Sequence, residues 1–496
     1  MDHTSGTSGT QSLLEVAWQA CNETFTNFKM RHGALAMTSP FTVSHICMSI
    51  GIILWRVWHT MNGRSHRVIE KQHKIYGSVF RVSPNELSFA SASSWKAIYG
   101  TPVAGKEQLI KSEFYDMYGS GFKTGCIGSE RNPQEHAQKK RDLSAAFSTK
   151  SLSQQEKIIQ RCIDGFITKI GDCSSKSADG INMVKWYEMV AFDAMGEMAF
   201  GESFHCIEKG TSPVDGSHSG SYVGNYFCGQ SPSIRALGCD WKYVAPWLTV
   251  SARDQHTKYS RTKVQERLRT KSSRKDFLTN LVEKVDRNEV SREQLTAHSS
   301  TIIIAGGETV STFLAAATYY LLKTPSAYEK LKLEVRGRFQ SYEDIDSTAV
   351  LQLPYLQAVI QEGLRIHPPG SQGFPRLSPG TQIDGYWVPK GTEVYTSAWT
   401  VTHDEAYFSD PMTFKPERWI DPKSTDRKDA SQPFSLGLRG CLGRNFALME
   451  MSLILAKIIY VYDMELVEKD LDWEGTSSVF VMWWKAAMKV RFERRI

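Results

Sequence analysis

The segment at residues 434–443 (FSLGLRGCLG) limits what this chain can fold into more than any other part of the sequence. Gly437, Gly440 and Gly443 permit tight backbone turns that bring N–H groups close to the sulfur of Cys441. The residues that follow have the apolar pattern of a helix. The positive N-terminal end of that helix would help to stabilise a negative charge on the Cys441 sulfur. A thiolate held in this way can bind a metal ion such as iron. The segment therefore predicts a loop that presents Cys441 as an axial metal ligand.

The other cysteines do not suggest a competing metal site or a disulfide framework. The chain has 9 cysteines, an odd and scattered number without a C-x-x-C pair. Eight of them read as small buried hydrophobic residues in a reduced compartment. The alternative for Cys441 is a glycine-rich loop that contains a cysteine by accident. With average residue usage, the pattern F-x-x-G-x-R-x-C-x-G arises by chance on the order of once in ten thousand chains of this length.

This pattern resembles the heme-binding loop of the cytochrome P450 superfamily, and the resemblance extends over roughly residues 68–492. It implies that Cys441 binds the iron of heme b and that further residues bind the cofactor. They are Phe434, Gly437 and Gly443 in the loop, with Arg439, Arg376, His136 and Lys140 facing the heme propionates. Lys140 and His136 replace the arginine and the aromatic residue of the family's pattern. Leu438 stands where many relatives carry proline.

Residues 305–309 (AGGET) lie inside a long helical pattern. Two adjacent glycines within a helix cost about 1 kcal/mol each relative to alanine, which predicts that something approaches the backbone closely. That object is either a heme face or a neighbouring helix. Glu308 and Thr309 supply a carboxylate and a hydroxyl, the groups needed to relay protons, and the resemblance assigns them as the catalytic pair. The alternative is helix packing through small residues beside a solvated glutamate.

A structural ion-pair network is predicted from two further motifs. Glu362 and Arg365 are three residues apart on a helix that ends at a His-Pro-Pro sequence, so they lie on one face and can pair. In the resembled family, the arginine of a later Pro-Glu-Arg-Trp motif joins this pair, and here that arginine is Arg418. The three residues are expected to brace the loop around the heme.

The predicted fold class is mainly α with small β-sheets, the cytochrome P450 fold, preceded by one N-terminal transmembrane helix. Helices are predicted near 133–148, 151–170, 183–200, 253–287, 292–323, 326–339, 354–366 and 444–461. Strands are predicted at 79–82, 385–388 and 392–395, with a hairpin over 479–492. Residues 207–232 read as a flexible connection. No proline lies between Pro40 and Pro84, although membrane-bound relatives generally carry a proline-rich hinge there.

The domain organisation predicts an anchor near the N-terminus. Residues 32–55 carry no charged side chain, about the length that crosses a bilayer. We expect a luminal segment at 1–32, a transmembrane anchor at 33–56 and a cytosolic catalytic domain at 57–496, in the endoplasmic reticulum membrane, because basic residues follow the span. Asn22 lies in a possible N-glycosylation sequon on the luminal side. A buried core helix is the alternative to the anchor.

The resemblance implies an NADPH- and O2-dependent monooxygenase that hydroxylates or epoxidises a small, largely apolar molecule. Electrons would come from a separate NADPH-cytochrome P450 reductase. Residues 83–87, 317–322 and 373–376 look like fungal members that tailor secondary metabolites, such as isotrichodermin C-15 hydroxylase. Substrate walls are expected before His136 and at 222–247, 303–309, 369–374 and 479–482. The net charge of +6 is dispersed, so nucleic acid is not an expected partner.

Three other functions stay open at this stage. The same heme could serve isomerisation or dehydration, in which case turnover would not need NADPH. The chain could bind heme without catalysis, and then no turnover would occur with a competent reductase. The motifs could also be accidental in a helical membrane-associated scaffold, which would not bind heme.

Overall fold

A computed structural model describes residues 40–102, 105, 107–119, 121–211, 246–269 and 276–495, with no side-chain description for 40–47, 117, 119 and 246–256. Helices dominate it. They are α1 (Pro40–Met61), α2 (Ser65–Tyr76), α3 (Ala92–Tyr99), α4 (Pro133–Ser144), α5 (Thr149–Ser175), α6 (Met183–Phe200), α7 (Cys206–Lys209), α8 (Pro246–Arg269), α9 (Thr279–Asp286), α10 (Arg292–Lys323), α11 (Pro325–Arg338), α12 (Ser347–Val350), α13 (Pro354–Ile366), α14 (Ala398–Thr402), α15 (Arg444–Val461) and α16 (Trp473–Thr476).

The strands form four small sheets. They are β1 (Val79–Ser83), β2 (Glu86–Phe89), β3 (Ile110–Lys111), β4 (Ile181–Asn182), β5 (Arg376–Leu377), β6 (Thr381–Ile383), β7 (Tyr386–Val388), β8 (Glu393–Thr396), β9 (Tyr462–Leu466), β10 (Ser478–Val479), β11 (Trp483–Trp484) and β12 (Lys489–Arg494). The largest sheet has the order β1-β2-β8-β5-β3, in which β2 and β8 are parallel. The others are β4-β12-β9, β6-β7 and β10-β11.

Most of the predicted elements are confirmed, several within two residues of their predicted ends. Two predictions differ from the structure. The region 253–287 is two helices, because α8 ends at Arg269 and α9 begins at Thr279. The predicted hairpin over 479–492 is only the short pair β10-β11, since β12 pairs with β9 and β4 instead. A hairpin and a strand of another sheet have the same alternating pattern, so the sequence could not separate them. Residues 212–232 of the predicted connection lie outside the described residues.

Helix α10 is the central element of the core. Ser291 caps its first turn by accepting a hydrogen bond from the Gln294 N–H, and the helix packs along α6. Among the described residues it is the helix long and apolar enough to cross a membrane by length and composition alone. In this fold 67% of its most apolar stretch is buried inside the protein, so α10 serves as a core helix. It positions one wall of the candidate site.

Helix α1 covers the second half of the predicted membrane anchor. Ile52, Ile53 and Trp55 are buried, and Ile52 and Trp55 pack against the first strand of the large sheet. Arg56 forms an ion pair with Glu86 at 3.1 Å. Helix α1 continues past the predicted boundary at residue 56 and ends at Met61. An uncharged run cannot by itself distinguish burial in lipid from burial in protein. Asn22 and residues 1–39 lie outside the described residues.

Candidate active site

A cavity of about 360 Å³ lies between α10, the loop before α15 and the segment that joins α13 to β5. Its wall includes parts of four of the five predicted substrate-contact regions. These are residues 127–128 before His136, 304–306 and 309 of α10, 369–370 with 374, and 482. Of the fifth region, residues 222–245 lie outside the described residues. The described wall is apolar on the α10 side and cationic at its other end.

The loop before α15 has the geometry that its glycines predict. Gly437 has a φ of +64°, and a Cβ added there would lie 2.5 Å from the Tyr99 carbonyl oxygen, so only glycine fits. The loop closes with a hydrogen bond from the Cys441 N–H to the Phe434 carbonyl at 2.8 Å. The Gly443 N–H lies close enough to the Cys441 sulfur to act toward a lower pKa of that thiol. The prediction that backbone N–H groups approach this sulfur is therefore confirmed for Gly443.

Cys441 faces the cavity rather than bulk solvent. The exposed part of its side chain forms a piece of the cavity wall, and protein surrounds the rest. Burial raises the pKa of the Cys441 thiol, while the Gly443 N–H, Lys140 and Arg444 act in the opposite direction. The protein alone therefore does not hold this sulfur as a thiolate. A bound metal ion would supply the missing stabilisation, since metal binding and thiol deprotonation are coupled.

The predicted propionate-binding residues meet at the cationic end of the cavity. Arg439 donates to the backbone carbonyls of Glu130 and Arg131 at 2.6 and 3.0 Å. Arg376 is buried and donates to the Tyr115 hydroxyl. Burial and then the nearby Arg376 lower the pKa of Arg439 to about 10. The two guanidinium groups are close enough to repel one another, which predicts an anionic ligand between them.

His136 and Lys140 line the same end of the cavity. Lys140 Nζ donates to the Leu438 carbonyl at 2.9 Å, which ties α4 to the cysteine loop. Burial, followed by Arg439 and Lys111, lowers the pKa of His136 to about 2, so its ring is neutral at neutral pH. A neutral imidazole can still donate one hydrogen bond to a carboxylate.

Sequence reasoning missed Lys111 on β3. Its ammonium group donates to the carbonyls of Ile127 and Gly128 at 3.0 and 2.6 Å and lies 4.8 Å from the Tyr115 ring centroid. Burial, followed by Arg439 and Arg376, lowers the pKa of Lys111 well below its ordinary value. No sequence motif surrounds Lys111. Its role becomes visible only when β3 pairs with β5, which carries Arg376.

The described wall fits a heme. It contains four basic side chains, Lys111, Lys140, Arg376 and Arg439, and no aspartate or glutamate. Two propionate carboxylates would meet this concentration of positive charge. The thiol of Cys441 lies on the same wall and is a ligand that binds iron well. The residues present therefore provide both the metal ligand and the counter-charges that this cofactor needs.

Helix α10 brings only one member of the predicted catalytic pair to the cavity. Thr309 lines the cavity and donates to the Ala305 carbonyl at 2.7 Å. Glu308 is buried and does not line it; the Glu308 carboxylate lies 3.2 Å from Lys485 Nζ. Adjacent residues on a helix differ in direction by about 100°, and here the Thr309 side chain lies on the cavity wall while the Glu308 side chain lies against Lys485.

Glu308 belongs to a buried cluster of three charges. Lys485 Nζ lies 3.0 Å from a Glu188 carboxylate oxygen and 3.2 Å from one of Glu308. Burial lowers the pKa of Lys485, but Glu308 and Glu188 together raise it above its ordinary value. The predicted alternative of a solvated glutamate is wrong, because Glu308 is buried and paired. Lys485 carries no sequence signal that would have identified it.

The adjacent glycines Gly306 and Gly307 are explained by helix packing. A Cβ at Gly306 would lie 2.2 Å from the Met195 sulfur, and one at Gly307 would lie 2.8 Å from the Phe192 ring. Both contacts are made with α6, so this close approach is that of a second helix. Gly306 also forms part of the cavity wall.

The structural network is formed as predicted. Glu362 accepts two hydrogen bonds from Arg365, at 2.8 and 2.9 Å, and one from Arg418 Nε at 3.1 Å. Two members were not predicted. Trp419 Nε1 donates to Glu362 at 2.9 Å, and Asp426 pairs with Arg418. Arginine and glutamate are fully buried here, so each charge has a partner, as burial requires.

Comparisons with known proteins agree with this site. A family model described as Cytochrome P450 matches residues 48–484. The chain is 57% identical over 443 residues to cytochrome P450 monooxygenase ORF9 of Penicillium roqueforti, covering 89% of this chain and 86% of that protein. It is 47% identical over 446 residues to cytochrome P450 monooxygenase BOT4 of Botryotinia fuckeliana, covering 89% and 84%. Cytochrome P450 monooxygenase ORF11 of Penicillium roqueforti is 38% identical over 426 residues, with 84% and 87% covered.

Proposed function

This chain belongs to the cytochrome P450 family and is a monooxygenase, and from that premise we propose that it hydroxylates or epoxidises a small, largely apolar molecule in fungal secondary metabolism. The reaction consumes O2, and NADPH supplies electrons through a separate NADPH-cytochrome P450 reductase. Family membership implies heme as the cofactor. The relatives in two fungi, each named a cytochrome P450 monooxygenase, support the assignment to fungal metabolism.

One observation carries the proposal. The Cys441 thiol and the Thr309 hydroxyl belong to the wall of one cavity, together with four basic side chains and, in the described part of that wall, no acidic one. The remaining wall is dominated by apolar side chains, among them Ile302, Val310 and Met482. A metal ligand, a hydroxyl and an apolar surface in one enclosure are what oxidation of an apolar substrate requires.

When bound, the heme supplies the activation of dioxygen and the insertion of one oxygen atom. The chain's own residues create the conditions for it. Cys441 would provide the sulfur ligand, and the nearby Gly443 N–H would restrain its electron density. Arg376 and Arg439 would hold the propionate carboxylates. The apolar wall excludes water, and Thr309 offers a hydroxyl that can hold or pass on a proton inside that dry enclosure.

We further propose that the protein is attached to the endoplasmic reticulum membrane with its catalytic domain in the cytosol. The uncharged run at 32–55 and the basic residues after it support this. The two faces of helix α1 also support membrane attachment. Its inner face is buried, while Ile50, Leu54, Trp58 and Met61 are exposed large apolar side chains at spacings of four, four and three residues. Such an outer stripe is typical of a helix that lies against lipid.

A carbon-monoxide difference spectrum of the reduced, heme-loaded protein tests the proposal. We expect a strongly red-shifted Soret band in the wild type and its loss in Cys441→Ser and Cys441→Ala. Cys126→Ser is a matched control, because Cys126 is buried beside Ser129 and does not line the cavity. A wild-type protein without the shifted band, or a Cys441 variant that keeps it, would contradict the assignment.

Turnover measurements separate the proposal from the other functions. With a reductase present, substrate oxidation should require both NADPH and O2. Conversion without NADPH would indicate an isomerase or a dehydratase. A normal spectrum together with no conversion of any apolar probe would indicate a heme-binding protein without catalysis.

A further inference from the structure

Among the residues that line the described cavity wall, two have a hydroxyl group without a hydrogen-bond partner: Ser435, whose oxygen is buried in the cysteine loop, and Tyr118. We propose that Tyr118 is a substrate-binding residue whose hydroxyl donates a hydrogen bond to an oxygen atom that the substrate already carries. This inference rests on the proposed function and narrows its substrate class. The substrate would be an apolar skeleton that bears one hydroxyl or carbonyl group before it reaches this enzyme.

The remaining hydroxyl groups on the described cavity wall already have protein partners. Thr301 donates to the Cys126 sulfur at 2.9 Å, and Thr309 donates to the Ala305 carbonyl at 2.7 Å. The Tyr115 hydroxyl accepts from Arg376. For the Tyr118 hydroxyl, the described part of the chain offers no hydrogen-bond partner, although this residue lines the cavity.

The position of Tyr118 is fixed by its backbone and its ring. Its backbone carbonyl oxygen accepts hydrogen bonds from Thr301 Oγ1 at 3.4 Å and from Cys126 Sγ at 3.5 Å. Gly128 packs closely against it, since a Cβ added to Gly128 would lie 3.2 Å from the Tyr118 Cβ. The ring centroids of Tyr118 and Tyr115 are 6.0 Å apart. The hydroxyl is therefore presented from a braced segment.

The chemistry of this hydroxyl suits a neutral oxygen on a ligand. Burial raises the pKa of the Tyr118 hydroxyl above its ordinary value, so it keeps its proton and acts as a donor. A polar group in an apolar enclosure is unfavourable until it finds a partner. A ligand oxygen would satisfy it, whereas a pure hydrocarbon would leave it unpaired. Because the hydroxyl stays unpaired with a hydrocarbon, a site of this kind can discriminate strongly between an oxygen-bearing ligand and a similar ligand without that oxygen.

The test uses the full-length, heme-loaded ferric protein and two probes of equal shape, trans-decalin and trans-2-decalone. Binding is measured from the spin-state change of the heme and, independently, by calorimetry. The wild type should bind the ketone more tightly than the hydrocarbon. Tyr118→Phe should weaken ketone binding about three- to tenfold, the range expected for one hydrogen bond, and leave decalin binding within about twofold.

A matched tyrosine serves as the control. Tyr319→Phe removes a hydroxyl that bonds to the Leu471 carbonyl outside the cavity. This variant should keep the wild-type preference for the ketone. A wild type without this preference, or a Tyr118→Phe variant that retains it, overturns the inference.

Two further outcomes are distinguishable. Faster loss of heme from Tyr118→Phe than from the wild type, with an unchanged ketone preference, would place the hydroxyl on a heme propionate and overturn the substrate role. Absence of a heme-thiolate spectrum in the wild type would overturn the proposed function, and this inference with it.

Discussion

Thr309 and Glu308 are neighbours in the sequence but have different environments. The Thr309 hydroxyl reaches the cavity, whereas the Glu308 carboxylate is held by Lys485 among buried side chains. Proton transfer requires the donor to lie within hydrogen-bond reach of its acceptor. The direct role therefore falls to Thr309, and the position of Glu308 points first to structural stabilisation.

Two isosteric variants separate these roles. Thr309→Val should keep the fold and lower the product formed per NADPH by about tenfold or more, because proton delivery fails and reducing equivalents leave as hydrogen peroxide. Glu308→Gln should lower the free energy of unfolding by about 1–3 kcal/mol, because it weakens a buried ion pair. Product yield, peroxide and urea denaturation are the measurements. If Glu308→Gln uncouples turnover as strongly as Thr309→Val without losing stability, the assignment of roles is incorrect.

At the scale of single elements, helix α1 has two apolar faces with different partners. Trp55 is 3% exposed and packs on the sheet, whereas Trp58, three residues later, is 51% exposed. The helix thus joins the catalytic domain without the proline-rich hinge of many relatives. A direct helical connection would fix the orientation of the domain relative to whatever the outer face contacts.

Paired substitutions distinguish the two faces of α1. Trp55→Ala should cost about 3–5 kcal/mol of stability, because it opens a cavity beneath the helix. Trp58→Ala should change stability by less than about 0.5 kcal/mol, but combined with Leu54→Ala it should weaken binding to anionic lipid vesicles about tenfold or more. Denaturation and vesicle co-sedimentation give the two values. Unchanged vesicle binding by the double variant would show that this face does not contact lipid.

The strand β8, which pairs with β2 beneath α1, carries a buried acid that makes stability depend on pH. Burial, followed by the adjacent Glu86 carboxylate, raises the pKa of Glu393 to about 8, and Glu113 adds to the increase. A hydrogen bond with Ser112 and the positive charge of Arg56 act in the opposite direction. The folded protein therefore keeps a proton on Glu393 at pH values where the unfolded chain has lost it.

The sign of the pH effect follows from that difference. Because the folded protein binds this proton more tightly than the unfolded chain does, protonation of Glu393 stabilises the fold. The contribution is complete below about pH 4.5, the pKa of a glutamate in the unfolded chain, and it is lost as the pH rises through about 8. Glu393→Gln should flatten the pH dependence between these limits and raise stability at pH 8 by about 1–3 kcal/mol. Urea denaturation at several pH values gives the result. Glu405→Gln is a control on an exposed acid, and an unchanged slope in Glu393→Gln would contradict the prediction.

At the scale of the whole molecule, the sequence predicted the parts that local chemistry determines. The turn at Gly437 in the cysteine loop, the Glu362–Arg365 pair and most of the long helices depend on short-range spacing, and the structure contains them. Arg418, 56 residues from Glu362, was predicted only from the resemblance to the family. Lys111 and Lys485 were not predictable, since each acquires its partner from a segment more than 15 residues away. The ambiguity between lipid and protein burial in α1 has the same origin. Hydropathy describes a residue, whereas burial depends on which distant surface covers it.

The cation-rich wall affects the whole fold, because four basic side chains and no aspartate or glutamate line its described part. Burial and then the nearby guanidinium groups lower the pKa values of Lys111 and Arg439. Before the heme enters, this repulsion opposes folding; two propionates would remove it. Binding of a ligand only to the folded state also stabilises that state by mass action.

Salt therefore should stabilise the heme-free protein more than the heme-loaded one. Mobile anions screen the repulsion only when no propionate is present, although a partly buried wall is screened less than an exposed surface. Raising the ionic strength from about 0.05 to 0.5 M should increase the stability of the heme-free protein by about 1 kcal/mol more than that of the loaded protein. Lys111→Met should reduce this difference, because it removes one of the four charges, whereas Lys330→Met, at an exposed ion pair with Glu417, should not. Equal salt responses of the two forms would mean that the cavity charges are already neutralised without heme.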